Sequence, residues 1–150
     1  AKLDGGEFAA IILACAGLIR LGFEDRIGAA IDPDLSLPAA AQGAVGIELR
    51  ETDQRVRDLR APVHHEDTAT RVLAERAVVR RLDGGCDVPI AAFAEFDGDG
   101  LWLRARVGAN DGTSLLEAEA RGADPEQLGQ CVAEMLLSQG AEDLIRAARG

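Results

Sequence analysis

Cys86 follows Gly84-Gly85 and precedes Asp87-Val88-Pro89. A thiol on a glycine-flanked loop can reach solvent and react as a soft nucleophile. The position suits a small loop residue without chemistry equally well, and spacing alone favours that plainer reading. Asp87 would raise a neighbouring thiol's pKa by like-charge repulsion, so the local sequence does not argue for an activated thiolate. Gln42-Gly43-Ala44 lies in an irregular stretch ahead of an apolar segment. There Gly43 could present a backbone N–H to a ligand, or simply make a turn. Arg20, two residues before Gly22, could aim a guanidinium at a carboxylate. The commoner case is a solvated arginine at a helix end. His64 and His65 are adjacent, so in an extended segment they point to opposite faces. The three cysteines, Cys15, Cys86 and Cys131, show no CxxC spacing. Neither a metal site nor a disulfide framework is expected, and a reducing cytoplasm is the natural setting. Cys15 and Cys131 sit in apolar patterns and should pack in a core.

The elements that would position these residues differ along the chain. Ala10-Ile11-Ile12-Leu13-Ala14 is a continuous apolar run, the pattern of a strand covered on both faces. It passes through Ala16-Gly17 into Leu18-Ile19-Arg20-Leu21. Residues 44–50 end in period-2 alternation and should form another strand. These read as pieces of an α/β domain with too few strands to close a sheet. The expectation is a chain that begins inside a domain whose earlier half is absent.

Residues 64–150 are more self-contained. Glu66 and Asp67 open a helix, where acids favour the positive end of the helix dipole. Ala69, Val72, Leu73 and Ala77 follow at helical spacing, and Gly84-Gly85 should end it. Glu75-Arg76 with Arg80-Arg81 reads as a solvated helix face or local ion pairs. Val88 to Phe96 and Leu101 to Gly108 should be strands joined at Asp97-Gly98-Asp99-Gly100, a strong hairpin signal. Leu101, Leu103, Ala105 and Val107 share one face of the second strand. Trp102, Arg104 and Arg106 share the other. Asn110-Asp111-Gly112 makes the next turn, and Ser114 to Ala120 the third strand. Asp124, Pro125 and Gln127 form a capped helix start. Leu128, Cys131, Val132, Met135 and Leu136 then make a stripe that should lie on the sheet. Gly140 should break this helix before Ala141 to Ala148.

Composition bounds the function. With 47% apolar and 28% charged residues the chain of 150 is a globular protein rather than a disordered one. Its net charge of −10 excludes wrapping nucleic acid or coating an anionic membrane. The longest apolar run, Phe8 to Ile19, is short of the ~20 residues a membrane helix needs. Asp4 and Glu7 before it do not suit a signal peptide.

Nearly the whole chain resembles the porphobilinogen deaminase family. The resemblance is carried by Leu3-Asp4-Gly5-Gly6-Glu7-Phe8, Ile11-Ile12-Leu13-Ala14, Ala16-Gly17-Leu18-Ile19-Arg20-Leu21-Gly22, Gln42-Gly43-Ala44-Val45-Gly46-Ile47-Glu48, Ala74-Glu75-Arg76-Ala77 and Leu82-Asp83-Gly84-Gly85-Cys86-Asp87-Val88-Pro89-Ile90. Glu-Arg-Ala followed by Gly-Gly-Cys-x-Val-Pro is highly specific in combination. Ala41 stands where the family usually has glycine.

The resemblance implies an α+β fold. A C-terminal three-stranded antiparallel sheet is packed by helices and preceded by the end of a periplasmic-binding-protein-like α/β domain. Residues 1–43 would end domain 2, residues 44–63 return to domain 1, and residues 64–150 form domain 3. It also implies a transferase that condenses four porphobilinogen units into hydroxymethylbilane, with loss of ammonia. The chain would grow on a dipyrromethane cofactor held as a thioether by Cys86. Arg20 would bind a carboxylate of cofactor or substrate, and Ala14, Gln42 and Gly43 would line the cleft. The family's catalytic aspartate lies on a Lys-Asp-Val-Pro loop that is absent here, so no catalytic residue is expected in this chain and no turnover by it alone. Its expected partners are porphobilinogen and the missing N-terminal half of a monomeric cytoplasmic enzyme, with no nucleic acid and no membrane. The alternative is a non-catalytic module that binds a small carboxylate or serves structure only.

Overall fold

A computed structural model describes residues 2–85 and 87–150. The chain divides into two units, one ending at Asp32 and one spanning Pro33–Gly150.

In the first unit, helix α1 spans Cys15–Arg20 and a 3-10 turn spans Glu24–Arg26. Arg26 pairs with Asp4 at 2.6 Å, closing the unit's two ends. The strand expected over Ala10–Ala14 does not form. A strand is defined by a neighbour's hydrogen-bond ladder, and none of the described residues supplies one. Ile12 is 79% exposed and Leu13 56%. Cys15 is half-buried rather than in a core.

The second unit opens on an irregular stretch in which Leu37 is buried. Residues 44–50 are again not a strand, for the same reason, and Val45 is 84% exposed. Helix α2 covers Gln54–Arg60, where sequence reading suggested only a connection. Its start is local chemistry: the Asp53 carboxylate accepts from the Val56 N–H at 3.0 Å.

Helix α3 covers Glu66–Arg81. His65 caps it, its Nδ1 accepting from the Thr68 N–H at 3.2 Å. The buried face is Ala74, Ala77 and Val78, while Leu73 is 48% exposed. The helix therefore turns about one position away from the stripe read from spacing. Its C-terminus departs from expectation in a second way. The residue that leaves the helical region is Asp83, at φ 51°, not a glycine. Gly84 N–H donates to the Val79 carbonyl at 2.8 Å and Asp83 N–H to the Arg80 carbonyl at 3.2 Å. That is the paired bonding of a Schellman cap, with aspartate where glycine is usual.

Strands β1 (Ile90–Asp97), β2 (Gly100–Gly108) and β3 (Leu115–Gly122) form an antiparallel sheet in the order β1-β2-β3. Asp97 pairs with Gly100 across a two-residue turn, Gly98 taking φ 62°. The alternation of β2 is as the sequence requires. Leu101, Leu103, Ala105 and Val107 are buried beneath the helices. On the opposite face the Arg104 guanidinium lies 4.0 Å from the Trp102 ring centroid and 5.6 Å from that of Phe93. It pairs with Asp34 and Glu95.

Helix α4 spans Pro125–Ser138, with the Asp124 carboxylate accepting from the Gln127 N–H at 2.8 Å. Its buried residues are Leu128, Gly129, Val132, Ala133 and Leu136. Cys131 and Met135, expected on the sheet, are exposed. The cause is Gly129. A Cβ there would lie 2.4 Å from the Ala77 Cβ and 2.5 Å from the Ala74 carbonyl oxygen, so α4 meets α3 through its backbone. That contact turns Gly129 and Ala133 inward and carries Cys131 and Met135 out. Gly140, at φ 101°, separates α4 from helix α5, Ala141–Ala148, which buries Ala141 and Ile145.

Candidate functional site

The segment 38–44 owes its shape to one side chain of α3. Glu75 is only 5% exposed, although sequence reading placed it on a solvated helix face. Its Oε2 accepts from the Ala41 N–H at 2.7 Å and its Oε1 from the Ala94 N–H at 3.0 Å. One carboxylate therefore joins this segment, α3 and β1. Desolvation pushes the Glu75 pKa up; the two N–H donors and the Arg71 charge act against it. Arg80 and Arg81 form ion pairs with Glu126 at 2.5 Å and Glu134 at 2.6 Å, so they bind α4 rather than local acids.

The Glu75 bond holds Ala41 at φ 62°. A side chain in that region costs about 1–2 kcal/mol, which glycine avoids. Gly43 follows at φ 82°, and open space lies where its Cβ would be. Gln42 and Gly43 are both exposed.

Ala41 lies between two open cavities. One, of about 180 Å³, is lined by Gln42, Gly43, Arg71, Glu75 and Phe93 among others. The larger, of about 620 Å³, runs from Ala40 and Ala41 past Arg76 and Val79 to Asp83 and Gly84. Gly84 is close-packed: a Cβ would lie 2.6 Å from the Ile90 Cδ1. Thus the larger cavity has Ala40 and Ala41 at one end and Asp83 and Gly84 at the other, while Gln42 and Gly43 line the smaller one.

Cys86 itself lies outside the described residues. Of the remaining expected site residues, Gln42 and Gly43 sit together in this second unit. Ala14 and Arg20 belong to the first. The Ala14 carbonyl accepts from the Gly17 N–H at 3.1 Å at the start of α1, and Arg20 is exposed at its end. Sequence reading missed Glu75 and Arg76 as site residues. The signal for Glu75 was its place among alanines in Ala74-Glu75-Arg76-Ala77, a face too small-sided to be solvated. Arg76 lines the larger cavity with no hydrogen bond or ion pair to a described residue. Among the described residues no cluster of three His, Cys, Asp or Glu side chains could hold a metal ion. No helix there is long and apolar enough to cross a membrane.

Residues 1–58 match the family model of the porphobilinogen deaminase dipyromethane cofactor binding domain. Residues 69–138 match that of the porphobilinogen deaminase C-terminal domain.

The chain belongs to the porphobilinogen deaminase family.

It is thus a member of a transferase family of tetrapyrrole biosynthesis, with a dipyrromethane cofactor. The cofactor-binding match contains Ala14, Arg20, Gln42 and Gly43. The C-terminal match contains Glu75, Arg76 and Cys86. The donor set suits that group. A dipyrromethane carries carboxylate side chains and pyrrole N–H groups. Arg76 offers an uncommitted guanidinium, and the Gln42-Gly43 backbone offers an open polar edge.

Proposed function

We propose that this chain is the C-terminal portion of a hydroxymethylbilane synthase, which condenses four porphobilinogen units head to tail and releases ammonia at each coupling. Residues 1–43 would belong to domain 2, residues 44–63 would return to domain 1, and residues 64–150 would be domain 3. The observation that carries the reading is the larger cavity. It runs from Ala40 and Ala41, next in the chain to Gln42-Gly43, to Asp83 and Gly84, which precede Cys86 in the sequence, and both ends fall within the matched family segments.

In this reading Cys86 holds the cofactor as a thioether. Its Sγ forms a bond to the methylene carbon of a pyrrole unit as that carbon's bond to nitrogen breaks, and the thiol proton leaves with the ammonia. When bound, the dipyrromethane supplies the nucleophilic pyrrole carbon that the growing chain extends, and tethering makes each coupling intramolecular. The chain's own residues position it. Arg20 and Arg76 offer guanidinium groups to its carboxylates. Gln42 and the Gly43 backbone line the cleft, as does the backbone near Ala14. Glu75 fixes the turn that presents Gln42 and Gly43. No residue of this chain matches the family's catalytic aspartate, so the purified 150-residue chain should make no hydroxymethylbilane.

Intact-mass spectrometry tests this on the chain incubated with hydroxymethylbilane, beside Cys86→Ala. The expected result is a tetrapyrrole-sized adduct on the parent, formed as the hydroxymethyl C–O bond breaks and water leaves, that is absent from the variant. An adduct surviving in Cys86→Ala would overturn the assignment of the thioether. Hydroxymethylbilane formation from porphobilinogen would overturn the expected inactivity.

A further inference from the structure

We propose that Arg149 is a positioning residue for the loop that leads into Cys86, acting through Asp83. The proposal rests on the reading of Cys86 as the cofactor's attachment point, and goes beyond it by naming what aims that loop.

Three observations converge. First, Asp83 is the residue at which the chain turns out of α3, in the left-handed region at φ 51°. Glycine normally takes this place in a Schellman cap, because a Cβ disfavours it. Second, Arg149 grips Asp83 at two points. Its Nη1 donates to the Asp83 Oδ2 at 3.0 Å, and its Nη2 donates to the Asp83 backbone carbonyl. A grip on the carboxylate alone would be an ordinary surface ion pair. A grip on the carbonyl as well sets the orientation of the peptide plane between Asp83 and Gly84. Third, the segment that follows is tied down close behind Asp83. Gly84 is wedged against Ile90 and Val79, and the Gly85 carbonyl accepts from the Val88 N–H at 3.3 Å. Asp83 is therefore the point at which α3 hands the chain into this turn.

Arg149 has a firm base for this task. It follows α5, whose Ala141 and Ile145 are buried in the sheet-and-helix core. The Asn110 Nδ2 donates to the Ala148 carbonyl at 3.5 Å at the helix's end. The far end of the chain is thus anchored to the core and reaches back to the residue that turns α3 into the loop. Asp83 also borders the larger cavity, so its orientation shapes that wall.

The test measures thiol chemistry rather than stability. The chain is expressed in cells unable to make porphobilinogen, so Cys86 is unmodified. Iodoacetamide alkylation is followed by mass spectrometry of the separate cysteine peptides. Arg149→Ala should raise the Cys86 alkylation rate by about threefold, in line with the modest worth of an exposed pair. Cys131, exposed on α4, is the internal reference and should not change. In an Asp83→Gly background, where the carboxylate contact is gone and glycine takes the left-handed conformation unaided, Arg149→Ala should raise the Cys86 rate by less than it does in the parent. An unchanged Cys86 rate in Arg149→Ala would overturn the proposal. So would an equal rise with and without Asp83→Gly, or a parallel rise at Cys131, which would mean general loosening. Alkylation needs no pyrrole, so these outcomes are independent of whether Cys86 carries the cofactor.

Discussion

Residues 2–63 and 64–150 are similarly rich in apolar side chains but use them differently. Among the described residues, Leu37 is the one buried large apolar side chain before residue 64, whereas Ile11, Ile12, Leu13, Leu21, Val45 and Leu59 are each at least half exposed. After residue 64 a continuous core runs from Ala74 to Ile145. Hydrophobicity is thus not sufficient for a core. The later region contains three strands that pair with each other and two helices that cross through Gly129. The earlier region has apolar runs without partners for their backbone groups, and an unpaired run gains nothing from being a potential strand.

The comparison makes quantitative predictions. The largest contrast is between Leu103→Ala and Ile12→Ala, measured by urea denaturation. Leu103 is fully buried, so its truncation should cost about 2–5 kcal/mol. Ile12, 79% exposed, should cost less than about 0.5 kcal/mol. Equal losses would show that residues 2–63 are packed after all.

Glu75 is the sharpest link between the two kinds of region, since it ties Ala41 to α3 and β1. Glu75→Gln should destabilise by about 1–3 kcal/mol, because one amide cannot accept from both N–H groups. The loss should depend on pH. With its folded pKa raised above the ordinary 4.5, Glu75 binds a proton more tightly in the native state than in the unfolded one. Its stabilising contribution is then fully present below that value and declines as pH rises through the folded pKa. The stability gap between parent and variant should narrow from acid pH toward neutrality. A gap that widens would mean the carboxylate is stabilised as the anion.

The smallest effect is expected at Ala41→Gly. Relief of the left-handed strain at φ 62° outweighs the entropy of an added glycine, so a gain of about 0.5–1 kcal/mol is expected. A loss in thermal denaturation would show that Ala41 is not held as described.

Legibility followed the range of the interaction. The hairpin at Asp97-Gly98-Asp99-Gly100, the alternation of Leu101 to Val107 and the Asp124 cap were readable because each is settled within a few residues. The Gly-Gly-Cys-x-Val-Pro segment and the Gln42-Gly43 turn pointed to the family for a similar reason, since residue type and spacing carry them. By contrast, Ala10–Ala14 looked like a strand because periodicity reports burial preference, not the presence of a neighbour. The outward turn of Cys131 and Met135 was hidden because it depends on Gly129 meeting Ala74 and Ala77 some fifty residues earlier.

The amino-acid sequence by itself determined the local grammar: where Asp124 caps α4, where the hairpin turns, and which cysteine follows a glycine pair in the chain. Tertiary structure decided which apolar runs become core, which helix faces point inward, that Glu75 is buried, and that Ala41 and Asp83 occupy conformations normally left to glycine. The physical reason is that propensity and capping act over one or two turns of chain. Desolvation, strand pairing and backbone strain are settled by groups that only the fold brings within a few ångströms.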